Sequence, residues 1–361
     1  MAETSNKRTE LSELGEFGLI EHLTNDIKLK NKSTLKGIGD DAAVLDYGNK
    51  VALLSTDLLI EGVHFDMSYT PLKHLGYKTA VVNFSDIAAM NGIPKQITVS
   101  IAVSNRYSVE ALEEFYNGLL FACERYGVDL VGGDTSSCPH GMFVSVSVVG
   151  EAEKDKVVYR KGAKEYDLVC VTGDLGAAYM GLLLLEREKQ VFQSDPTMQP
   201  DLSGHDYILE RHLKPEARTD IVEQLQKAGI LPTSMIDISD GLASEILHIC
   251  KNSEVGCSLY EDKLPIDVAM ATMAEELNIS AVTAAMNGGE DYELLFTIVQ
   301  KDYEKLKEIP GITVIGHITA KNEGINLVSN DGKLIPITAQ GWNHWREKND
   351  REVEGDKGQE K

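Results

Sequence analysis

The sequence predicts an α/β protein of two domains, and three observations carry that reading. At 361 residues the chain is longer than a typical single core accommodates, so two domains are expected. Segments of β character, VALLSTD (51–57), QITVSIAV (96–103) and MFVSVSVVG (142–150), alternate with segments whose apolar residues recur at helical spacing. Near Gly150 the pattern breaks into a charged connection, EAEKDKVVYRKGAKEYD, and a second α/β block follows.

The helical spacing runs from Leu75 to Met90 and again from Val109 to Tyr126. For the second helix, Ser108 is the expected N-cap and Gly127 the expected stop. The second block opens with the strand LVCVTGD and a helix beginning near Gly176. The connection at 151–166 is therefore the expected boundary between domains spanning 11–150 and 151–345. Residues 1–10 and the acidic segment 346–361 (REKNDREVEGDKGQEK) are charged and poor in apolar residues, and read as frayed, disordered tails. No tandem repeat of fixed short period is seen.

Composition narrows the function. Hydrophobic content of 42% with 25% charged residues is ordinary for a globular protein. A net charge of −22 excludes a generic nucleic-acid binder, which needs surplus Lys and Arg to neutralise phosphates. If the ligand is a nucleotide, a chain this acidic must recruit cations to hold it, and divalent metals are the obvious answer. The five cysteines (Cys123, Cys138, Cys170, Cys250 and Cys257) form no CxxC pair, so a reducing compartment is expected rather than disulfides or zinc. The first residues lack an apolar signal core, and runs such as Met180 to Leu185 are far too short for a membrane span. A soluble, cytoplasmic protein is expected.

The chemical signal lies in the aspartates. Five segments, GIGDDAAV (37–44), STD (55–57), NFSD (83–86), GGDTS (132–136) and DISDG (237–241), each set Asp beside Gly, Ser or Thr. Small, hard, oxygen-only donors placed in turns suit Mg²⁺. Any one such turn is ordinary cap chemistry. Five of them, in a chain without a Walker A, kinase-type GxGxxG or HExxH motif, read as a multi-metal phosphate site. Gly132 and Gly133 would let backbone approach a phosphate, and GGEDYELLF (288–296) brings Glu290 and Asp291 into an apolar strand.

In order, GIGDDAAV, STDLLIEGVHF, NFSDIAAMNGIP, VGGDTS, MIDISDGLASEILHI and GGEDYELLFT resemble the thiamine-monophosphate kinase family, as do GEFGLIEHL (15–23) and GWNHW (341–345). The wider superfamily includes aminoimidazole-ribonucleotide synthetase, selenophosphate synthetase and a hydrogenase-maturation factor. The resemblance covers about residues 14–345, and STDxxxEGVHF with GGEDYEL narrows it to the kinase.

That resemblance implies an aminoimidazole-ribonucleotide-synthetase-like fold, each domain a mixed or antiparallel sheet backed by helices. N-terminal domains would pair into a homodimer, with the active site in the cleft between domains. It implies Mg²⁺ ligation by Asp40, Ser55, Thr56, Asp57, Asp86, Asp134, Asp237 and Asp240. ATP contacts would come from Tyr116, Gly133, Asp134, Arg160 and Ser239. His64, Glu290 and Trp342 would face thiamine monophosphate. Around Arg160 the family pattern resembles RSGAKPGD, and this chain departs from it with RKGAKEYD (160–167).

The implied reaction is in-line transfer of the ATP γ-phosphoryl group, helped by several Mg²⁺ ions and without a phospho-enzyme. The acceptor's second pKa is about 6, so it needs no strong general base. The obstacle is repulsion between polyanions, roughly 4 kcal/mol per pair of unit charges at 4 Å and effective dielectric 20. Rivals are a sister synthetase, a metal-dependent phosphohydrolase and a non-catalytic nucleotide or cation sensor. No Cys precedes Cys123, which weighs against the selenophosphate branch.

Overall fold

The structure is a computed structural model that describes residues 34–36 and 39–339. The alternation in the sequence becomes two mixed sheets. The first holds β1 (Thr34–Lys36), β2 (Ala43–Asp46), β3 (Lys50–Ile60), β4 (Ile93–Val103), β5 (Asp129–Ser137) and β6 (Met142–Glu153), in the order β1-β2-β3-β6-β4-β5. Its neighbours are antiparallel except the β4–β5 pair at the edge, which is parallel. The second holds β7 (Leu168–Thr172), β8 (Ser234–Asp237), β9 (Gly256–Tyr260), β10 (Leu294–Ile298), β11 (Ile312–Thr319), β12 (Ile325–Val328) and β13 (Leu334–Pro336). Here the order is β13-β12-β9-β11-β7-β10-β8, with only β9 and β12 parallel.

Two helices back the first sheet, α1 (Leu72–Ala89) and α2 (Val109–Tyr126). The expected caps of α2 are both present: Ser108 accepts a 3.2 Å hydrogen bond from Ala111 N, and Gly127 adopts φ +65°. The two helices meet at glycines. A Cβ on Gly76 would lie 1.9 Å from Phe115 O, and one on Gly118 would lie 1.8 Å from Lys73 O. Only bare backbone permits so close a crossing.

Unlike an amphipathic surface helix, α1 is buried along most of its length. It packs on β3, β4 and β6, on α2, and on β8 of the second sheet. A shared core joins its Ala88 and Ala89 to Val158, Cys170, Met235, Leu294 and Phe296. Helix α1 thus links the two sheets, and the described residues all fall within one unit.

The second sheet is covered by α3 (Ala177–Ser194), α4 (Asp206–Leu213), α5 (Thr219–Lys227), α6 (Leu242–Ser253), α7 (Val268–Glu276), α8 (Ala281–Asn287) and the short α9 (Tyr303–Leu306). The connection at 151–166 lies almost wholly between β6 and β7. Its departure from the family pattern has a local cost: Tyr166, where that pattern has Gly, sits at φ +74°. The turn forms nonetheless, with Tyr166 N donating to Ile318 O and Asp167 N to Lys164 O, both at 2.9 Å.

Three of the five acidic segments are not turns. STD lies within β3, NFSD in α1, and GGDTS within β5; only residues 39–42 of the first segment and Ser239–Asp240 of the last occupy bends. The polar residues mimic turn composition, but pleating and helical pitch bring Ser55, Asp57 and Asp86 together, while GGDTS stays on the exposed edge strand. No helix among the described residues is long and apolar enough to cross a membrane.

Candidate active site

Asp41, Asp86 and Asp237 bring one carboxylate oxygen each within 4.8 Å of one another. Asp41 comes from the bend before β2, Asp86 from α1, and Asp237 from the last position of β8. Strand β3 adds to the group by alternation. Ser55 and Asp57 occupy its inner, partly buried face, whereas Thr56 lies on the exposed face. Ser55 Oγ donates to Asp86 Oδ2 at 2.6 Å, and Ser85 Oγ donates to Asp237 Oδ2 at 2.6 Å. Arg160 forks onto Asp41, with Nε at 3.0 Å and Nη2 at 2.8 Å.

The electrostatics are those of a cation site. Burial first, then the charges of Asp57, Asp237 and Asp41, hold the Asp86 carboxyl well above the usual range. Burial and Asp41 push Asp237 up to about 7. Glu245, in the first turn of α6, is raised by burial and by Asp240. Arg160 also adds to the burial that lowers His248 to about 4. Hard oxygens crowded together in this way fit Mg²⁺.

Other expected metal ligands stand at varying distance from this cluster. Asp40 turns away, accepting from Arg160 N at 2.8 Å and pairing with Lys36 at 3.2 Å. Its neighbour Asp41 is the member of the pair that joins the cluster, because adjacent residues in a bend point apart. Asp240 N donates to Glu245 Oε1 at 3.1 Å, and Asp240 adds its charge to Glu245. Thr56 Oγ1 donates to Val146 O at 2.5 Å on the neighbouring strand. Asp134 lies on the edge strand, exposed and in register with Ser100, its Oδ1 accepting from Thr135 N. The structure therefore does not bring Asp134 into the buried group.

Asp134 instead joins the expected nucleotide contacts. A cavity of about 340 Å³ is lined by Val99, Tyr116, Leu130, Gly132, Gly133, Asp134 and Thr135. A Cβ on Gly133 would lie 2.0 Å from Val99 O, so close strand packing alone requires glycine there. Arg160 is engaged by Asp41, and Ser239 supplies its carbonyl to Glu290 N at 2.7 Å.

On the acceptor side, His64 Nδ1 accepts from Ile60 N at 3.0 Å. The loop that carries His64 is fastened to α3 by Tyr69 Oη donating to Glu186 at 2.7 Å and by Lys189 pairing with Asp66 at 2.7 Å. Burial raises the Tyr69 hydroxyl, and the charges of Glu186, Asp66 and Glu290 add to that rise. Glu290 and Asp291 diverge. Asp291 is fully buried and accepts from Gly176 N at 2.7 Å and Ala178 N at 3.3 Å, capping α3. Glu290, at φ +67°, meets Lys78 Nζ at 2.8 Å. Trp342 lies outside the described residues.

Sequence reasoning missed Asp41, Lys78 and Glu245. The signal for Lys78 was a lone cation inside the apolar helix LGYKTAVV, a position that requires an anionic partner.

Fold and site together define a class, the AIR synthase related proteins: residues 39–152 match the family described as their N-terminal domain. Over the whole chain the likeness is sharper. Thiamine-monophosphate kinase of Buchnera aphidicola subsp. Schizaphis graminum is 37% identical across 92% of this chain and 99% of its own. That of Aquifex aeolicus is 36% identical across 93% and 99%. A solved structure of AaThiL complexed with AMPPCP and TMP superposes with a TM-score of 0.80 at 36% identity, covering 93% of this chain and 99% of that one. The chain belongs to the thiamine-monophosphate kinase family, and it is an enzyme of that kind.

Proposed function

We propose that the enzyme transfers the γ-phosphoryl group of ATP to thiamine monophosphate, giving thiamine diphosphate, with Mg²⁺ held by Asp41, Asp86 and Asp237. The observation that carries this is the buried three-carboxylate cluster, drawn from three separate elements. The AaThiL complex with AMPPCP and TMP, alike over nearly the whole chain, supports the choice of substrates.

When bound, Mg²⁺ supplies charge neutralisation for the triphosphate and for the transferring group. The chain's own residues prepare the site. Arg160 fixes Asp41, while Ser55 and Ser85 orient Asp86 and Asp237 by single hydrogen bonds. Tyr116 and the Gly132–Gly133 backbone offer the nucleotide an aromatic edge and a surface free of side chains. Glu290 sets a negative charge toward the cationic thiazolium or its pyrimidine, and His64 adds a further acceptor contact. Transfer is direct, because the acceptor phosphate is already ionised at neutral pH.

The same reading divides the chain into domains of 11–150 and 151–345 with a tail at 346–361. A second copy would cover the outer face of the first sheet, where Leu54, Leu58, Phe143 and Val149 are exposed. Free thiols at all five cysteines suit the cytoplasm.

An ADP-release assay tests the reaction. ADP should appear only when thiamine monophosphate and Mg²⁺ are both present, and chelator should stop it. Equal ATP turnover without the acceptor would favour the phosphohydrolase instead.

A further inference from the structure

Lys78 has no place in the chemistry described so far, yet it is among the most constrained charges in the molecule. Its side chain is 6% exposed and projects from α1, a helix whose other buried residues are mostly apolar. A buried ammonium costs several kcal/mol unless an anion meets it, and the anion is Glu290, 2.8 Å away. The second Glu290 oxygen lies 3.2 Å from His212 Nδ1, close but not aligned as a hydrogen bond. Lys78 and His212 are buried, whereas Glu290 keeps 30% of its side chain open. Burial alone would raise the Glu290 carboxyl, but Lys78 and His212 overcome it and hold it well below the usual range. His212 is itself lowered by burial and by Lys78, so Lys78 is the cation that matters.

The helix adds a geometric role. Lys78 and Asp86 stand eight residues apart on α1, about 12 Å along its axis at 1.5 Å per residue. One rigid, buried element therefore carries a ligand of the metal cluster at one point and the clamp on Glu290 at another. Glu290 needs that clamp, because its own backbone is left-handed and it follows two glycines.

We propose that Lys78 is a positioning residue that clamps the Glu290 carboxylate from behind, so that its open face meets the cationic acceptor at a set distance from the metal cluster. This rests on the acceptor assignment of Glu290. Lys78→Met should raise the KM for thiamine monophosphate about tenfold, the usual cost of losing a buried charge-assisted contact, with the KM for ATP changed less than twofold. A direct contact between Lys78 and the acceptor phosphate would behave differently in a double-mutant cycle. If Lys78 acts through Glu290, adding Lys78→Met to Glu290→Gln changes the acceptor KM less than twofold further. That pair also replaces both charges together, so it folds even if Lys78→Met alone does not.

Multiplying effects in the cycle, or both KM values rising together with a lower Tm, would overturn the proposal. Failure of the underlying reading shows separately, as a wild-type enzyme that ignores thiamine monophosphate or a Glu290→Gln variant with unchanged acceptor KM.

Discussion

At the scale of single residues, the site is a set of carboxylates held at a loss in the metal-free protein. Asp237 moves from an ordinary 3.8 to about 7, on the order of 4 kcal/mol in favour of its protonated form. Because the folded pKa is raised, folding takes up protons, so this stability is full below pH 4 and disappears as pH rises through 7. Metal-free enzyme should therefore lose Tm between pH 5 and pH 8. Asp237→Asn should flatten that profile, raise Tm at pH 8 and abolish most turnover. Calorimetry in EDTA at both pH values checks it, and a variant that unfolds at pH 8 would mark Asp237 as a purely structural residue. Tyr166 is a second residue-scale case. It is 64% exposed at φ +74°, a conformation that costs a side-chain-bearing residue about 1–2 kcal/mol. Tyr166→Gly should stabilise the protein by roughly 0.5–1 kcal/mol, net of glycine's greater unfolded-state entropy, as read by denaturant midpoint at constant m-value.

At the scale of elements, α1 governs the site. It presents Lys78, Ser85 and Asp86 along one rod, and its position depends on the Gly76–Gly118 crossing with α2. Gly118→Ala would set a methyl 1.8 Å from the Lys73 carbonyl, and backbone cannot yield as a flexible side chain does. The expected loss is about 1–3 kcal/mol of stability. Turnover should fall as well, since a displaced α1 carries Asp86 away from Asp41 and Asp237. Thermal unfolding and kcat on one preparation check both, and an unchanged kcat would show that the helix can move without disturbing the cluster.

At the scale of the whole molecule, the first sheet has an inner face packed on α1 and an outer face bearing Leu54, Leu58, Phe143 and Val149. Cross-strand pairing sets Leu54 opposite Val149, and the polar pair Thr56–Ser147 separates them from Leu58. These exposed apolar side chains are the face on which a second copy is proposed to sit. Sedimentation at micromolar concentration should show a dimer for the parent and a monomer for Leu54→Asp/Leu58→Asp. A monomeric parent would leave the second-copy reading without support.

The sequence by itself determined the family, the alternation of strands and helices, the caps of α2 and the inventory of acidic groups. Each of those depends on local pattern, which a linear chain displays directly. It did not determine which aspartates meet. Asp40 and Asp41 are adjacent in one motif, yet a bend turns one to Lys36 and the Arg160 backbone and the other to Asp86 and Asp237. Glu290 and Asp291 are likewise adjacent, yet one is held by Lys78 and the other caps α3. The choice falls to tertiary structure because residues some 45 to 200 positions apart in the chain must first be packed before burial and like charge can act between their side chains.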